Sequence, residues 1–288
     1  MAFGDRIARG WALMKQSWQV LMLDKELLVF PMISAVALIL VALTFVVPLF
    51  TSGWVASLDS SSEPTANPFV YVWLFAFYVV NYFVVVFFNT AIVSCARERM
   101  HGGDPTVGSG LSSAVSLWPQ VLLWSLVSAT VGFVLRMVEE RFEGLGRVAV
   151  GLIGVAWGVA TYFVVPVLVA ERLGPFAALK RSAQVLRKTW GEALVSNFGI
   201  GLIVFLLTLL SAVPLAAGIA IGTPVAVFGG LAITAVAFGL LMAVSSALNA
   251  ILVTALYEYA AAGQAPSGFD EATLQGAFGA RRARRRGF

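Results

Sequence analysis

Long apolar segments recur along this 288-residue chain, and its basic residues fall almost entirely on alternate connections between them. A hydrocarbon core about 30 Å thick takes roughly 20 apolar residues per crossing helix. Stretches near 29–50, 69–94, 119–135, 148–169, 195–220 and 225–256 meet that length. The expected fold class is therefore all-α: a polytopic membrane protein with six transmembrane helices. A mean hydropathy of +0.89, with 12% charged and 59% hydrophobic residues, leaves too little polar surface for a water-soluble domain.

Orientation follows from Lys and Arg, because positively charged loops resist translocation whereas acidic ones matter little. Arg6, Arg9, Lys15 and Lys25 precede the first span, Arg97 and Arg99 follow the second, and Arg172, Lys180, Arg181, Arg187 and Lys188 follow the fourth. Arg281, Arg282, Arg284, Arg285 and Arg286 lie in the tail. Only Arg136, Arg141 and Arg147 fall on the other side, among Glu139, Glu140 and Glu143. Both termini are expected to be cytoplasmic, with residues 1–270 forming one membrane domain and 271–288 an Arg-rich cytoplasmic tail. The first apolar run follows a charged amphipathic stretch and lacks a small-residue cleavage site, so no signal peptide is expected. With 4 Lys beside 15 Arg, the composition fits a prokaryote, and hence its plasma membrane.

The basic connections carry a second pattern. In residues 1–28, Ile7, Trp11, Met14, Trp18 and Leu21 fall within about 80° of one another at helical spacing. Phe176, Leu179, Ala183, Leu186 and Trp190 form the same kind of stripe in the fourth connection, and Leu111, Val115 and Trp118 a weaker one before the third span. A shift of 165 positions superposes Lys15, Ser17, Gln19, Val20 and Leu21 on Lys180, Ser182, Gln184, Val185 and Leu186. The even-numbered spans also end alike, at Ala96-Arg97-Glu98-Arg99, Ala170-Glu171-Arg172 and Tyr257-Glu258-Tyr259. These features predict cytoplasmic amphipathic helices lying in the membrane interface and a three-fold repeat of interfacial helix plus helical hairpin. Trp11, Trp18, Trp118 and Trp190 are the expected interfacial anchors. Lys180, Arg181, Arg187 and Lys188, with the tail arginines, are expected to face anionic headgroups.

Inside the spans no Asp, Glu, His, Lys or Arg lies near the middle, where a proton relay or ion-coupled transporter would need one. The candidate intramembrane polar residues are Asn81, Asn89, Thr161, Tyr162, Asn197, Ser245 and Asn249, with Ser246 beside them. Their usual use is interhelical hydrogen bonding, and the alternative is a solute pathway. Gly154 with Gly158, Ser128 with Gly132 and Gly218 with Gly222 are small-xxx-small pairs that favour close packing. Pro166 and Pro214 are candidate kinks. The sole histidine, His101, stands in His101-Gly102-Gly103-Asp104-Pro105, a strong turn former. Hydrolase, phosphate-loop and zinc signatures are missing, and the single cysteine, Cys95, permits no intramolecular disulfide.

Gly10-Trp11, Lys15-Gln16-Ser17-Trp18, Leu21 and Asp24 to Pro31 resemble the opening of a family of uncharacterised prokaryotic multi-pass membrane proteins. Gly102 to Thr106, Ala160 to Pro166, Leu179 to Ser182 and Thr189 to Glu192 look like its later landmarks, in the same order. This resemblance implies fold and location but carries no activity. The Lys-Arg-Ser and Trp-bearing helices set before spans are also similar to the membrane domain that accompanies some glycerophosphodiester phosphodiesterases, whose catalytic barrel this sequence lacks.

The expected function is that of a non-enzymatic scaffold or accessory protein acting on lipids or partner proteins at the cytoplasmic face. The alternative is a transporter or channel for a lipid or largely uncharged solute. A membrane enzyme would have to rest on His101, Asp104 and the glutamates of the third loop. Anionic membrane lipids and a membrane-protein partner are expected, with no nucleic acid, no metal and no cofactor.

Overall fold

The computed structural model describes residues 3–51, 68–189 and 205–277, all of it helix or connection with no strand among them. Two compact units divide the chain: one gathers 1–32, 92–110 and 184–288, the other 33–91 and 111–183. Among the described residues, five helical stretches are long and apolar enough to cross a membrane: Lys25–Thr51, Tyr71–Met100, Trp118–Arg141, Gly146–Glu171 and Pro224–Ala262. The fifth expected span is represented by the shorter apolar helix Phe205–Ile221. Its predicted first part, 195–204, lies outside the described residues, as do the loop around Ser60–Pro64 and the tail arginines.

Helix α1 (Phe3–Leu23) is free of proline and rich in residues that tolerate helix, and Asp24 ends it. A single 3-10 turn, Lys25–Leu28, hands the chain directly to α2 (Val29–Thr51). Gly10, Leu13, Ser17, Val20, Leu21 and Asp24 are buried at helical spacing, so α1 has one inward face. That face packs on α10 (Pro224–Ala262) and on the short terminal helix α11 (Glu271–Ala277). Of the expected stripe, Leu21 is in this core whereas Trp11 and Trp18 are exposed; the side chain of Ile7 lies outside the described set.

Helix α3 (Pro68–Met100) runs several residues past its predicted end. Near its start, Trp73 donates from Nε1 to the Phe45 carbonyl of α2 at 3.2 Å, and its ring lies 5.0 Å from that of Phe45. After α4 (Val107–Ser116), α5 (Trp118–Arg141) begins with Pro119 in its first turn, where a missing N–H costs least, and continues well beyond the apolar stretch. In that extension Arg136 Nε and Glu140 Oε1 are paired at 3.2 Å across one turn.

The fourth span is broken. α6 (Leu145–Thr161) stops at Tyr162 and α7 (Val164–Glu171) restarts after Phe163. Pro166 causes this, since it has no N–H to give the carbonyl four residues back and its ring crowds that carbonyl. The interruption would strand Phe163 N–H, but Ser182 Oγ of α8 (Pro175–Thr189) accepts from it at 3.0 Å and donates to Ala160 O at 2.7 Å. Trp124 of α5 stacks on Trp157 of α6, with centroids 6.0 Å apart and planes 18° from parallel.

The inward face of α8 is Pro175, Ala178, Ser182, Val185 and Leu186. These are the positions reached from Gly10, Leu13, Ser17, Val20 and Leu21 of α1 by the 165-residue shift, so the two helices bury the same register. In α4 the buried positions are Gly110 and Ala114, followed by Leu117 and Val121, while Val115 and Trp118 are exposed.

Helix α9 (Phe205–Ile221) turns at Ala212 ahead of Pro214, the second expected kink, and ends at Gly222 in the left-handed region, φ 76°. Thr223 then caps α10, its Oγ1 accepting from Ala226 N at 3.3 Å. The two helices cross where glycine permits contact of backbones: a Cβ on Gly218 would strike the backbone of Ala226, and one on Gly230 that of Pro214. Gly222 serves as a cap instead of a contact. Ser128 is buried, and Gly132 sits against the Tyr82 hydroxyl. The expectation for Gly154 and Gly158 is not met: a Cβ at either would meet nothing within 4 Å.

Two pairs of substitutions test this packing. Gly218→Ala should cost about 1–3 kcal/mol through overpacking, whereas Gly154→Ala should be neutral or stabilise by up to about 1 kcal/mol through helix propensity. Ser182→Ala leaves two backbone groups without their partner and should cost about 1–3 kcal/mol. Ser17→Ala, whose buried Oγ has no hydrogen-bond partner among the described residues, should cost less than about 1 kcal/mol. Thermal unfolding in detergent measures all four, and equal effects within either pair would contradict these assignments.

Candidate functional site

The densest set of interacting ionisable groups is built on the last turn of α3, where Arg97, Glu98, Arg99 and His101 point in three directions at about 100° per residue. Arg97 and His101, four apart, share a face and take opposite oxygens of Glu258 near the end of α10. Arg97 Nε lies 2.7 Å from Glu258 Oε1, and His101 Nε2 lies 3.6 Å from Oε2. His101 Nδ1 is 2.7 Å from the Arg97 carbonyl. A carbonyl only accepts, so the ring donates its proton there. The Glu258 side chain is 12% exposed and is flanked in sequence by the buried Tyr257 and Tyr259.

Arg99 faces the other way. Its Nε and Nη2 hold the two oxygens of Asp24 in a fork, and Nη2 also reaches Asp104 Oδ1 at 2.6 Å. Burial differs sharply among the three: the Asp24 side chain is 6% exposed, that of Arg99 24% and that of Asp104 91%. Asp24 is thus the structural partner, matched to the planar guanidinium in the geometry that makes such pairs strongest. Both arginines also sit at the negative end of the α3 dipole, which favours them there.

The intervening residues close the junction. Gly102 adopts φ 86°, and Gly103 N donates to Glu98 O at 2.9 Å. A Cβ at Gly103 would come within 2.7 Å of Glu98 Cγ, so the Gly-Gly pair supplies both the turn and the room beneath it. Thr106 caps α4 reciprocally with Ser109, each side-chain oxygen accepting from the other's backbone N–H at 3.0 Å. Glu98 Oε2 accepts from Ser109 Oγ at 3.1 Å, while Glu26 Oε2 accepts from Val107 N at 3.2 Å. Ser267 N donates to Met100 O at 3.3 Å. One turn of α3 is therefore tied to the end of α1, the start of α4, the end of α10 and the segment that follows it.

Chemically this is a fastening. Asp24, Glu98 and Glu258 are each engaged by a cation or hydroxyl, and among the described residues no three His, Cys, Asp or Glu side chains converge as a metal site would require. The expected turn at His101–Pro105 is formed, but His101 faces Glu258 while Asp104 faces Arg99. Sequence reasoning assigned Arg97 and Arg99 to topology and missed their partners Asp24 and Glu258. The available signal was that both acids, like both arginines, stand at span ends, where opposite charges meet.

The other expected site residues are dispersed. Asn81 Nδ2 donates to Phe77 O at 2.7 Å, and Thr161 Oγ1 to Trp157 O at 2.9 Å, so each is satisfied within its own helix and not across helices. Asn89 and Ser245 are half-buried and Asn249 is exposed. Tyr162 lies edge-on to Phe163 at the break in the fourth span, with centroids 4.8 Å apart. Lys180 and Arg187 are exposed, whereas Arg181 is paired with Glu171 at 2.7 Å. Trp118 is exposed like Trp11 and Trp18. Asn197 and Trp190, the Lys188 side chain, and Arg281, Arg282, Arg284, Arg285 and Arg286 lie outside the described residues.

Residues 69–269 match the family described as "Family of unknown function (DUF6159)". The chain belongs to that family. No curated protein and no solved structure matches it. The DUF6159 stretch holds Arg97, Arg99, His101 and Glu258, while Asp24 and all of α1 precede it. With five apolar helices of membrane-crossing length, the chain is a multi-pass membrane protein of unknown molecular function.

Asp24→Ala should lower stability by about 1–3 kcal/mol, because it removes the buried carboxylate that holds the Arg99 guanidinium in a fork. Asp104→Ala removes only a solvent-exposed partner and should cost about 1 kcal/mol or less. Unfolding midpoints in detergent compare them; similar losses would show that burial does not rank the two pairs.

Proposed function

We propose that this protein is a non-enzymatic scaffold or accessory protein of the prokaryotic plasma membrane, with both termini in the cytoplasm and its working surface on that side. The observation that carries this reading is how the chain uses charge. Arg97, Arg99 and Glu26 at the α3 junction fasten segments distant in sequence, and the middles of the apolar helices hold no charged residue to couple to an ion or proton. A rigid junction at the ends of the spans suits a protein that presents a surface.

The matched inward faces of α1 and α8, and the related face of α4, support a unit of interfacial helix plus hairpin used three times. Each such helix would then set one amphipathic element at the membrane surface beside its hairpin. The break in the fourth span has a structural use in this reading, since Ser182 Oγ bridges it and ties α8 to the span.

Native mass spectrometry of the full chain, extracted gently from its own membrane, tests the proposal. A stoichiometric second polypeptide that survives activation is the expected result. A reproducible solute adduct with no polypeptide would overturn the scaffold reading in favour of transport.

A further inference from the structure

Helix α1 has two apolar faces, and only one is covered. At about 100° per residue, Trp11, Lys15, Trp18 and Met22 fall within roughly 60° of one another, on the side away from the face that meets α10. All four are exposed, Trp11 by 55% and Trp18 by 43%. The 165-residue shift carries these positions to Phe176, Lys180, Ala183 and Arg187 of α8. There Phe176 is 72% exposed, Lys180 and Arg187 are exposed, and Ala183 is half-buried. Two helices that bury the same register thus also turn the same register outward.

We infer that each of these outward faces docks on an anionic phospholipid surface, α1 by inserting aromatic side chains and α8 by supplying positive charge. The inference rests on the scaffold reading and names what that scaffold's interfacial helices touch.

Chain continuity favours lipid over other occupants. Only Asp24 and one 3-10 turn separate α1 from α2, and only Arg172, Leu173 and Gly174 separate α7 from α8. Each outward face therefore lies within a few residues of a helix that crosses the bilayer. Charge points the same way. From Arg6 to Leu23 the sequence has no acidic residue, and α8 has none from Pro175 to Thr189. Tryptophan prefers the headgroup level because its ring is apolar and its N–H polar, and Lys or Arg beside it keeps its charge among the phosphates. The sequence stripes mixed the two faces of these helices, since Leu21 and Leu186 belong to the buried side.

The test uses the full chain reconstituted in vesicles of phosphatidylcholine, alone or mixed with phosphatidylglycerol. The difference in fluorescence between the native protein and Trp11→Phe/Trp18→Phe isolates the signal of that pair. It should be blue-shifted and quenched by lipids brominated on their upper acyl chains. In the mixed vesicles, spin-labelled phosphatidylglycerol should associate more strongly than labelled phosphatidylcholine, and Lys180→Gln/Arg187→Gln should lose most of that preference. Both double variants alter exposed side chains, and circular dichroism verifies their helix content.

A Trp pair that emits as in water and is not quenched would overturn the inference, as would quenching that disappears when the protein is concentrated in the membrane, the mark of a second copy on this face. An unchanged lipid preference in the Lys180/Arg187 variant would overturn the role of α8. Recovery of a partner polypeptide without lipid contact would defeat this inference and leave the scaffold standing; lipid contact without a partner would do the reverse.

Discussion

Charge taken out of water must be paired, and the fork between Arg99 and Asp24 is where that requirement shapes this protein most. A guanidinium left alone at 24% exposure beside apolar helices would be costly, and so would a carboxylate at 6%. Holding each other, they fix the end of α1 against the end of α3, and Arg97 with Glu258 fixes α10 to the same turn of α3. The apolar core then has a defined frame to fill. Leu13, Val20 and Leu21 from α1, Ile92 and Ala96 from α3, and Ile251, Leu252 and Leu256 from α10 are all essentially inaccessible. By contrast α2 leaves Val36, Ile39, Leu43 and Phe50 exposed, as a helix surrounded by hydrocarbon would.

Within the apolar helices, where no hydrophobic difference separates lipid from side chain, packing depends on shape and on satisfying the backbone. The α9–α10 hairpin uses shape: Gly218 and Gly230 remove the two Cβ atoms that would hold the backbones apart. Leu215 N and Thr234 Oγ1 add a hydrogen bond at 3.2 Å. The fourth span poses the opposite problem, a backbone opened by Pro166, and Ser182 answers it from a different helix. One hydroxyl thus both repairs the break and sets the register of α8.

The apolar runs made most of the fold legible, because length and hydropathy alone decide that a segment crosses a bilayer. Five of the six expected spans have long helices that begin within a few residues of their predicted starts, the discrepancies being the extensions of α3, α5 and α10 past their predicted ends. Helix does not stop where hydrophobicity stops: Arg97, Arg99 and Arg136 propagate it into the polar zone. The site was less legible. Arg97 and Arg99 carry a topological signal so strong that it hid their structural one, and their partners lie 161 and 75 residues away in sequence. Gly154 and Gly158 show the converse, since a glycine spacing marks an opportunity for contact and not the contact itself.

Ser17 and Ser182 bring these levels together. They occupy the same position in two similar helices, both fully buried, yet Ser182 bridges a broken span while Ser17 Oγ has no hydrogen-bond partner among the described residues. The same residue type is thus buried at both places, and among the described residues only Ser182 uses its hydroxyl. Where the fourth span breaks ahead of α7, the serine supplies the hydrogen bonds that the backbone lacks. What the two helices share is therefore the register of burial and not the use of each buried side chain, because that register is set by which side of each helix packs on the protein.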